Sequence, residues 1–309
     1  MKRKSVYLFA CAYRTNYKYC HTFMTLARNL LILIVLAVVM SAQAMARDYV
    51  GVVLDENKEP LPYATVRIKN RSIAALGDSV GEFMLSVKKP QSHDTLTVSY
   101  LGYETKEIPS AALGEDGKIT VKMTPASAEL KNVTVIPAKK IKRKSKGKKH
   151  GSGMMLSFLD EDMAGECFGY EFHAKKDSRL VLERVDFFYR EGRNQMTRMK
   201  FRVNVYDMSE VKSDPSSKFV NILSRPVYFN YVLDKNKLSG KFVYELPECI
   251  VLTKDAMVEI EFLENLGNEI FWYKSNVIGK RTWTKSLTDG QWERNPFATP
   301  FFVECAEIK

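Results

Sequence analysis

The chain has 309 residues, room for about two domains, and its 45% apolar and 27% charged content fits a folded protein and not a disordered one. Six positive charges precede Arg47 in a segment without acids and eight more fall between Lys139 and Lys149, so the formal +11 is local. The rest carries 33 basic against 36 acidic residues, which excludes the general basic field of a nucleic-acid-binding domain.

The N-terminal segment, residues 1–46, has the layout of a secretory signal peptide. Arg28 is followed by the apolar run LLILIVLAVVM and then by small residues, Ala42-Gln43-Ala44 and Ala44-Met45-Ala46. The apolar run is about half of the ~20 residues a membrane-spanning helix requires, which favours a removed signal over an anchor. Met24 also opens a signal of ordinary length. No Cys follows the run, so a lipid anchor is not expected. Three cysteines remain beyond this segment, Cys167, Cys249 and Cys305. They lack C-x-x-C spacing, which argues against a disulfide scaffold or zinc knuckle. Cys305 alternates with Phe301 and Val303 and reads as a buried strand residue.

From Tyr49 to Met123 the chain reads as short β segments: YVGVVL, ATVRIK, EFMLSV, DTLTVSY, ETKEI and KITVKM. Each is rich in Val, Ile, Thr or Tyr and bounded by turn residues. The spacing predicts an antiparallel sandwich of about seven strands over residues 47–136. Gly81 and Gly102 fall at tight reversals, where glycine alone accepts positive φ cheaply. Pro60 and Pro62 belong in a loop.

Four blocks in order carry a resemblance. They are Gly51-x-Val53 leading into Asp55; Pro60-Leu61-Pro62-Tyr63-Ala64-Thr65-Val66; Asp78-x-x-Gly81-Glu82-Phe83; and Leu96-Thr97-Val98-Ser99-Tyr100-Leu101-Gly102-Tyr103. This region resembles the carboxypeptidase-regulatory-like domain, a transthyretin-like β-sandwich family. The resemblance implies a non-catalytic module of the kind found at the N-terminus of TonB-dependent outer-membrane receptors and other envelope proteins of the Bacteroidetes type. Leu130-Lys131-Asn132-Val133-Thr134-Val135 is similar to the tail that joins this module to a receptor plug, but the C-terminal half is too short to supply a plug and a large barrel.

Residues 137–153 hold the run KKIKRKSKGKKHG and then GSG. Little there can bury surface and offset ordering entropy, so a basic flexible linker is expected, extended by self-repulsion. Residues 154–309 return to strand patterning. In VDFFYR, FRVNVY and VEIEF, apolar residues alternate with Asp186, with Arg202 and Asn204, and with Glu259 and Glu261, which predicts one buried and one wet face. With MLSFL, CFGYEF, RPVYFNYV, KFVYEL, EIFWYK, RTWTK and FFVECAEI, about ten strands suit a jelly-roll-like β-sandwich. The expected fold class is all-β.

Catalytic equipment is not evident. His93, His150 and His173 show no H-x-x-E spacing, and there is no H-E-x-x-H, G-x-S-x-G, P-loop or G-x-G-x-x-G. The acids Asp160, Glu161 and Asp162 lack the periodicity of an EF-hand and read as an exposed turn. No cofactor and no metal site are expected. Trp272, Trp283 and Trp292 could stack on sugar rings if exposed, or fill a core; Trp292, in TDGQWERNP, is expected to be the most exposed. Lys139, Lys140, Lys142, Arg143, Lys144, Lys146, Lys148 and Lys149 lack interleaved aromatics for stacking nucleic acid. Beyond a signal peptide they would meet an anionic membrane or polysaccharide surface, or serve as solvated linker.

The resulting expectation is an exported, non-catalytic cell-envelope protein, periplasmic, outer-membrane-associated or at the cell surface, that binds a glycan or an envelope protein. Alternatives are a carbohydrate-active enzyme with its site in the C-terminal sandwich and a structural or assembly protein.

Overall fold

The structure is a computed structural model describing residues 28–32, 46–114, 116–126, 141–147, 155–159, 163–173, 179–189, 198–208, 211, 219–232, 240–265, 271–275, 282–295 and 301–308. Residues 28–32 are helical, with Leu30, Leu31 and Ile32 exposed. Among the described residues no helix is long and apolar enough to cross a membrane. The cleavage motifs at residues 42–46 lie outside the described residues, apart from Ala46.

The first sandwich has seven strands: β1 (Arg47–Leu54), β2 (Thr65–Ile68), β3 (Ala74–Leu76), β4 (Glu82–Val87), β5 (Thr95–Ser99), β6 (Lys106–Pro109) and β7 (Lys118–Lys122). They form sheets ordered β4-β1-β7 and β3-β2-β5-β6. Period-two patterning sets which face is inside. In β4, Phe83, Leu85 and Val87 are buried while Glu82, Met84 and Ser86 are exposed. These side chains meet Val66, Ile68, Leu96, Val98 and Val121 in one core. The pairing is not wholly antiparallel, because β1 runs parallel to β7 from Val50↔Lys118 to Leu54↔Lys122. β3, the Ala-Ala-Leu strand, is too short and weakly branched to stand out in the sequence.

The quoted motif residues shape the turns. Asp78 Oδ1 accepts from the backbone N–H groups of Val80 (2.9 Å) and Glu82 (2.8 Å). Gly81 between them has φ 76°, and a Cβ there would meet the Val53 carbonyl at 2.9 Å. Asp-x-x-Gly is thus a side-chain-capped reversal that only glycine completes.

Among the described residues the second sandwich has thirteen strands: β8 (Ile141–Gly147), β9 (Met155–Leu159), β10 (Cys167–Phe172), β11 (Arg179–Tyr189), β12 (Arg198–Asp207), β13 (Val220–Asn221), β14 (Val227–Val232), β15 (Gly240–Leu252), β16 (Ala256–Asn265), β17 (Phe271–Ser275), β18 (Thr282–Lys285), β19 (Glu293–Asn295) and β20 (Phe301–Ile308). One sheet is ordered β13-β12-β16-β10-β18-β19, with β14 on β12; the other is β8-β20-β11-β17-β9, with β15 on β11. Between them lies the main core, where Phe172, Phe187, Phe201, Phe262 and Phe301 are almost wholly buried. A buried side chain of that size contributes about 1.5–3 kcal/mol. The fold is all-β, with all ten expected C-terminal segments present as strands and three more beside them.

Two expectations are corrected. Residues 141–147, read as linker, form edge strand β8, paired antiparallel with β20 from Ile141↔Ile308 to Gly147↔Phe302. An edge strand is held by backbone hydrogen bonds and does not need an apolar face, and lysines suit an edge because they discourage pairing with other chains. The predicted wet faces are not wet either: Asp186, Arg202, Asn204, Glu259 and Glu261 are all buried.

Candidate functional site

Four of these buried polar residues, Arg202, Asn204, Glu259 and Glu261, gather on the face of the seven-stranded sheet that points away from the main core, while Asp186 lies on β11 of the other sheet. Pairing register explains the grouping. Arg202 on β12 lies opposite Glu261 on β16, which lies opposite Cys167 on β10, which lies opposite Lys285 on β18. The next row is Asn204, Glu259, Gly169 and Trp283. Gly169 leaves room for Met257, whose sulfur would lie 2.5 Å from an added Cβ and would have to shift.

Arg202 Nε and Nη2 donate to Glu261 Oε2 at 2.8 and 2.7 Å, and Asn204 Nδ2 donates to the same oxygen at 3.1 Å. Asn221 Nδ2 in turn holds Asn204 Oδ1 at 2.9 Å. Burial opposes the Arg202 charge, but Glu261 and the neighbouring tyrosines outweigh it and hold its pKa above the ordinary arginine value. Glu259 differs: it is 0% exposed, and neither carboxylate oxygen has a hydrogen bond of good geometry, although the Cys167 thiol and the Tyr206 hydroxyl interact with it and favour its charged form. Burial, helped by Glu261, raises its pKa, while Lys285 opposes the rise. Burial, then Glu259, also pushes the Cys167 thiol well above its usual range. A thiol in that state is protonated and a poor nucleophile. Burial opposes the Lys285 ammonium as well, but Cys167, Glu259 and Glu261 more than offset this and raise its pKa.

Aromatic residues roof this face. Trp283 and Trp292 are 3% and 7% exposed, packed with Cys167, Met208, Val211 and Met257. Phe219 lies 5.6 Å from Trp283 and 5.4 Å from Trp292 between ring centroids. Trp283 Nε1 donates to Glu171, and Lys285 Nζ sits 4.8 Å from the Trp292 ring centre. Neither indole is the exposed sugar platform considered from sequence; a turn-rich context did not expose Trp292, because Tyr206 and Phe219 close over it. Trp272 lies on β17, and its side chain is outside the described ones, as are Lys139, Lys140, Lys148, Lys149 and Asp160–Asp162. Lys142 and Arg143 are exposed on β8, which also carries Lys144 and Lys146 in its backbone pairing.

The first sandwich covers the other end of the same face. Tyr63 Oη donates to Glu264 Oε2 at 2.5 Å and accepts from Lys200 Nζ at 3.0 Å, while Arg202 Nη1 donates to the Tyr63 carbonyl at 3.2 Å. The Tyr228 hydroxyl donates to the Pro62 carbonyl at 3.2 Å. Arg67 reaches the carbonyls of Leu287 (2.6 Å), Thr288 (3.3 Å) and Asp289 (3.1 Å). Residues 48–87 and 91–309 accordingly pack as one unit. The sequence carried one clue to the covered face: acids at alternate positions of VEIEF and a base at an alternate position of FRVNVY, complementary in sign.

The seven-stranded layout and the Asp78–Gly81 reversal agree with the family match. Residues 49–135 match the CarboxypepD_reg-like domain. Over 86 residues the chain is 31% identical to the TonB-dependent receptor SusC of Bacteroides thetaiotaomicron, covering 27% of this chain and 8% of that receptor. The shared part is the CarboxypepD_reg-like domain, and the chain spans less than a tenth of the receptor's length. Among solved structures, the cysteine protease and lectin-like domains of Cwp84, a surface-layer-associated protein of Clostridium difficile, align at TM-score 0.31 and 12% identity, over 79% of this chain and 58% of that one. A likeness that low carries no argument for either domain.

Proposed function

We propose that this chain is an exported, non-catalytic envelope protein in which the CarboxypepD_reg-like domain and the second sandwich act together as an interaction module, docking on an anionic lipid surface. The observation that carries the reading is β8: a Lys- and Arg-rich segment that ends its sheet's strand order, with Lys142 and Arg143 exposed. Basic charges near an anionic membrane contribute about 1 kcal/mol each, less as salt rises. Holding part of the run on a folded edge lowers the entropy lost on docking. The signal-like N-terminus and the domain shared with SusC support an envelope address, and the lack of familiar catalytic motifs supports a binding role.

The test is co-sedimentation of the protein with phosphatidylcholine vesicles, with and without phosphatidylglycerol, at low and high salt. Binding is expected only with the anionic lipid, and it should weaken at high salt and fall at least tenfold when the eight basic residues from Lys139 to Lys149 are replaced by Gln. Equal binding to neutral vesicles, or unchanged binding by that variant, would overturn the reading.

A further inference from the structure

We propose that Cys167, Glu259 and Glu261 bind one divalent cation of the zinc class. The Cys167 sulfur and one carboxylate oxygen from each glutamate lie within 4.8 Å of one another, and all three residues are buried. Adjacent strands fix them: Cys167 is directly opposite Glu261, and Glu259 is two residues along the same face of β16. Glu259 is the group that calls for a ligand. It is wholly buried and neither oxygen has a hydrogen bond of good geometry, a state that native interiors avoid unless an ion or a donor serves it.

The chemistry of the donors selects the metal. One sulfur and two carboxylate oxygens suit zinc, with bonds of about 2.3 Å to sulfur and 2.0–2.2 Å to oxygen, whereas magnesium and calcium prefer oxygen throughout. The Arg202 and Asn204 donors already orient Glu261, as outer groups commonly orient metal ligands. On coordination the thiol releases its proton to solvent and binds as thiolate. Lys285 is the competing charge. Its ammonium lies over the Trp292 ring, 4.8 Å from the ring centre.

The full chain, stripped with EDTA and dialysed, would be titrated with Zn²⁺ and with Co²⁺. Expected results are one zinc per chain by elemental mass spectrometry and a sulfur-to-cobalt charge-transfer band in the Co²⁺ form. C167S should abolish the band, E259Q should weaken zinc binding at least tenfold, and K285M should tighten it. Circular dichroism verifies folding, and E259Q, which keeps the side-chain shape, decides the matter if C167S does not fold. Substoichiometric zinc, a cobalt spectrum without the sulfur band, or zinc binding unchanged in E259Q but lost in H173A would overturn the proposal. The last pattern would place the metal at the exposed His173, beside Glu171 and Asp255.

Discussion

The Tyr63 hydroxyl donates to Glu264 across 2.5 Å, joining a loop of the first sandwich to β16 of the second, 201 residues later. Burial and the Glu264 carboxylate hold the Tyr63 pKa well above the ordinary tyrosine value, so this oxygen remains a donor at physiological pH. Y63F should lower unfolding free energy by about 1.5–3 kcal/mol, the usual range for a hydrogen bond to a charged group. Urea denaturation followed by tryptophan fluorescence, which reports the second sandwich, reads this directly. A midpoint equal to wild type would show that the contact adds nothing to that sandwich.

Arg202 gives a larger effect. R202M leaves the Glu261 carboxylate buried with only Asn204 as a donor, and stability should fall by roughly 3–5 kcal/mol. The double variant R202M/E261M removes both charges and should recover much of that loss. No recovery would mean that Arg202 matters through its packing or its bond to the Tyr63 carbonyl.

Glu259 reverses the sign. In EDTA, E259Q should stabilise the protein by on the order of 1–3 kcal/mol, because it removes a charge that burial disfavours more than its neighbours support it. Thermal melts of the stripped proteins would check this, and a lower midpoint in E259Q would contradict it.

The roof residues should behave as core. W283A and W292A should each cost about 3–5 kcal/mol, while vesicle binding by the folded fraction stays unchanged. Loss of vesicle binding by a variant that remains folded would give these rings a role in contact.

A pair of glycines separates strain from simple crowding. Gly102 has φ 86°, and an added Cβ would lie 2.8 Å from the Ser224 carbonyl of the other sandwich. Gly77 has no such φ, and its nearest contact would be 3.4 Å. G102A should therefore cost about 1–3 kcal/mol and G77A well under half of that. Equal losses in urea denaturation would contradict the assignment.

Legibility in the sequence followed period and turn chemistry. Alternation in EFMLSV and the Asp78–Gly81 turn were sufficient to place β4 and its reversal, and the same patterning located ten strands of the second sandwich. What patterning could not supply is what covers a strand's second face. Glu259 and Glu261 alternate with apolar residues as solvent-facing acids would, and only the register with β10 and β12, plus the arrival of Tyr63 and Trp292 from distant segments, buries them. The β8 strand was illegible for a different reason, since backbone pairing at an edge leaves little signature in side-chain hydrophobicity.

The pairing of β8 with β20 also fixes an order of events during synthesis. β20 lies between β8 and β11, so the six-stranded sheet stays divided until Phe301–Ile308 have emerged, some 150 residues after β8. The first sandwich draws all seven strands from residues 47–122 and is not delayed in this way. The nascent chain should therefore carry one folded domain while the other waits with its β11 edge open, the interval in which chaperone binding or passage through a translocation channel is easiest.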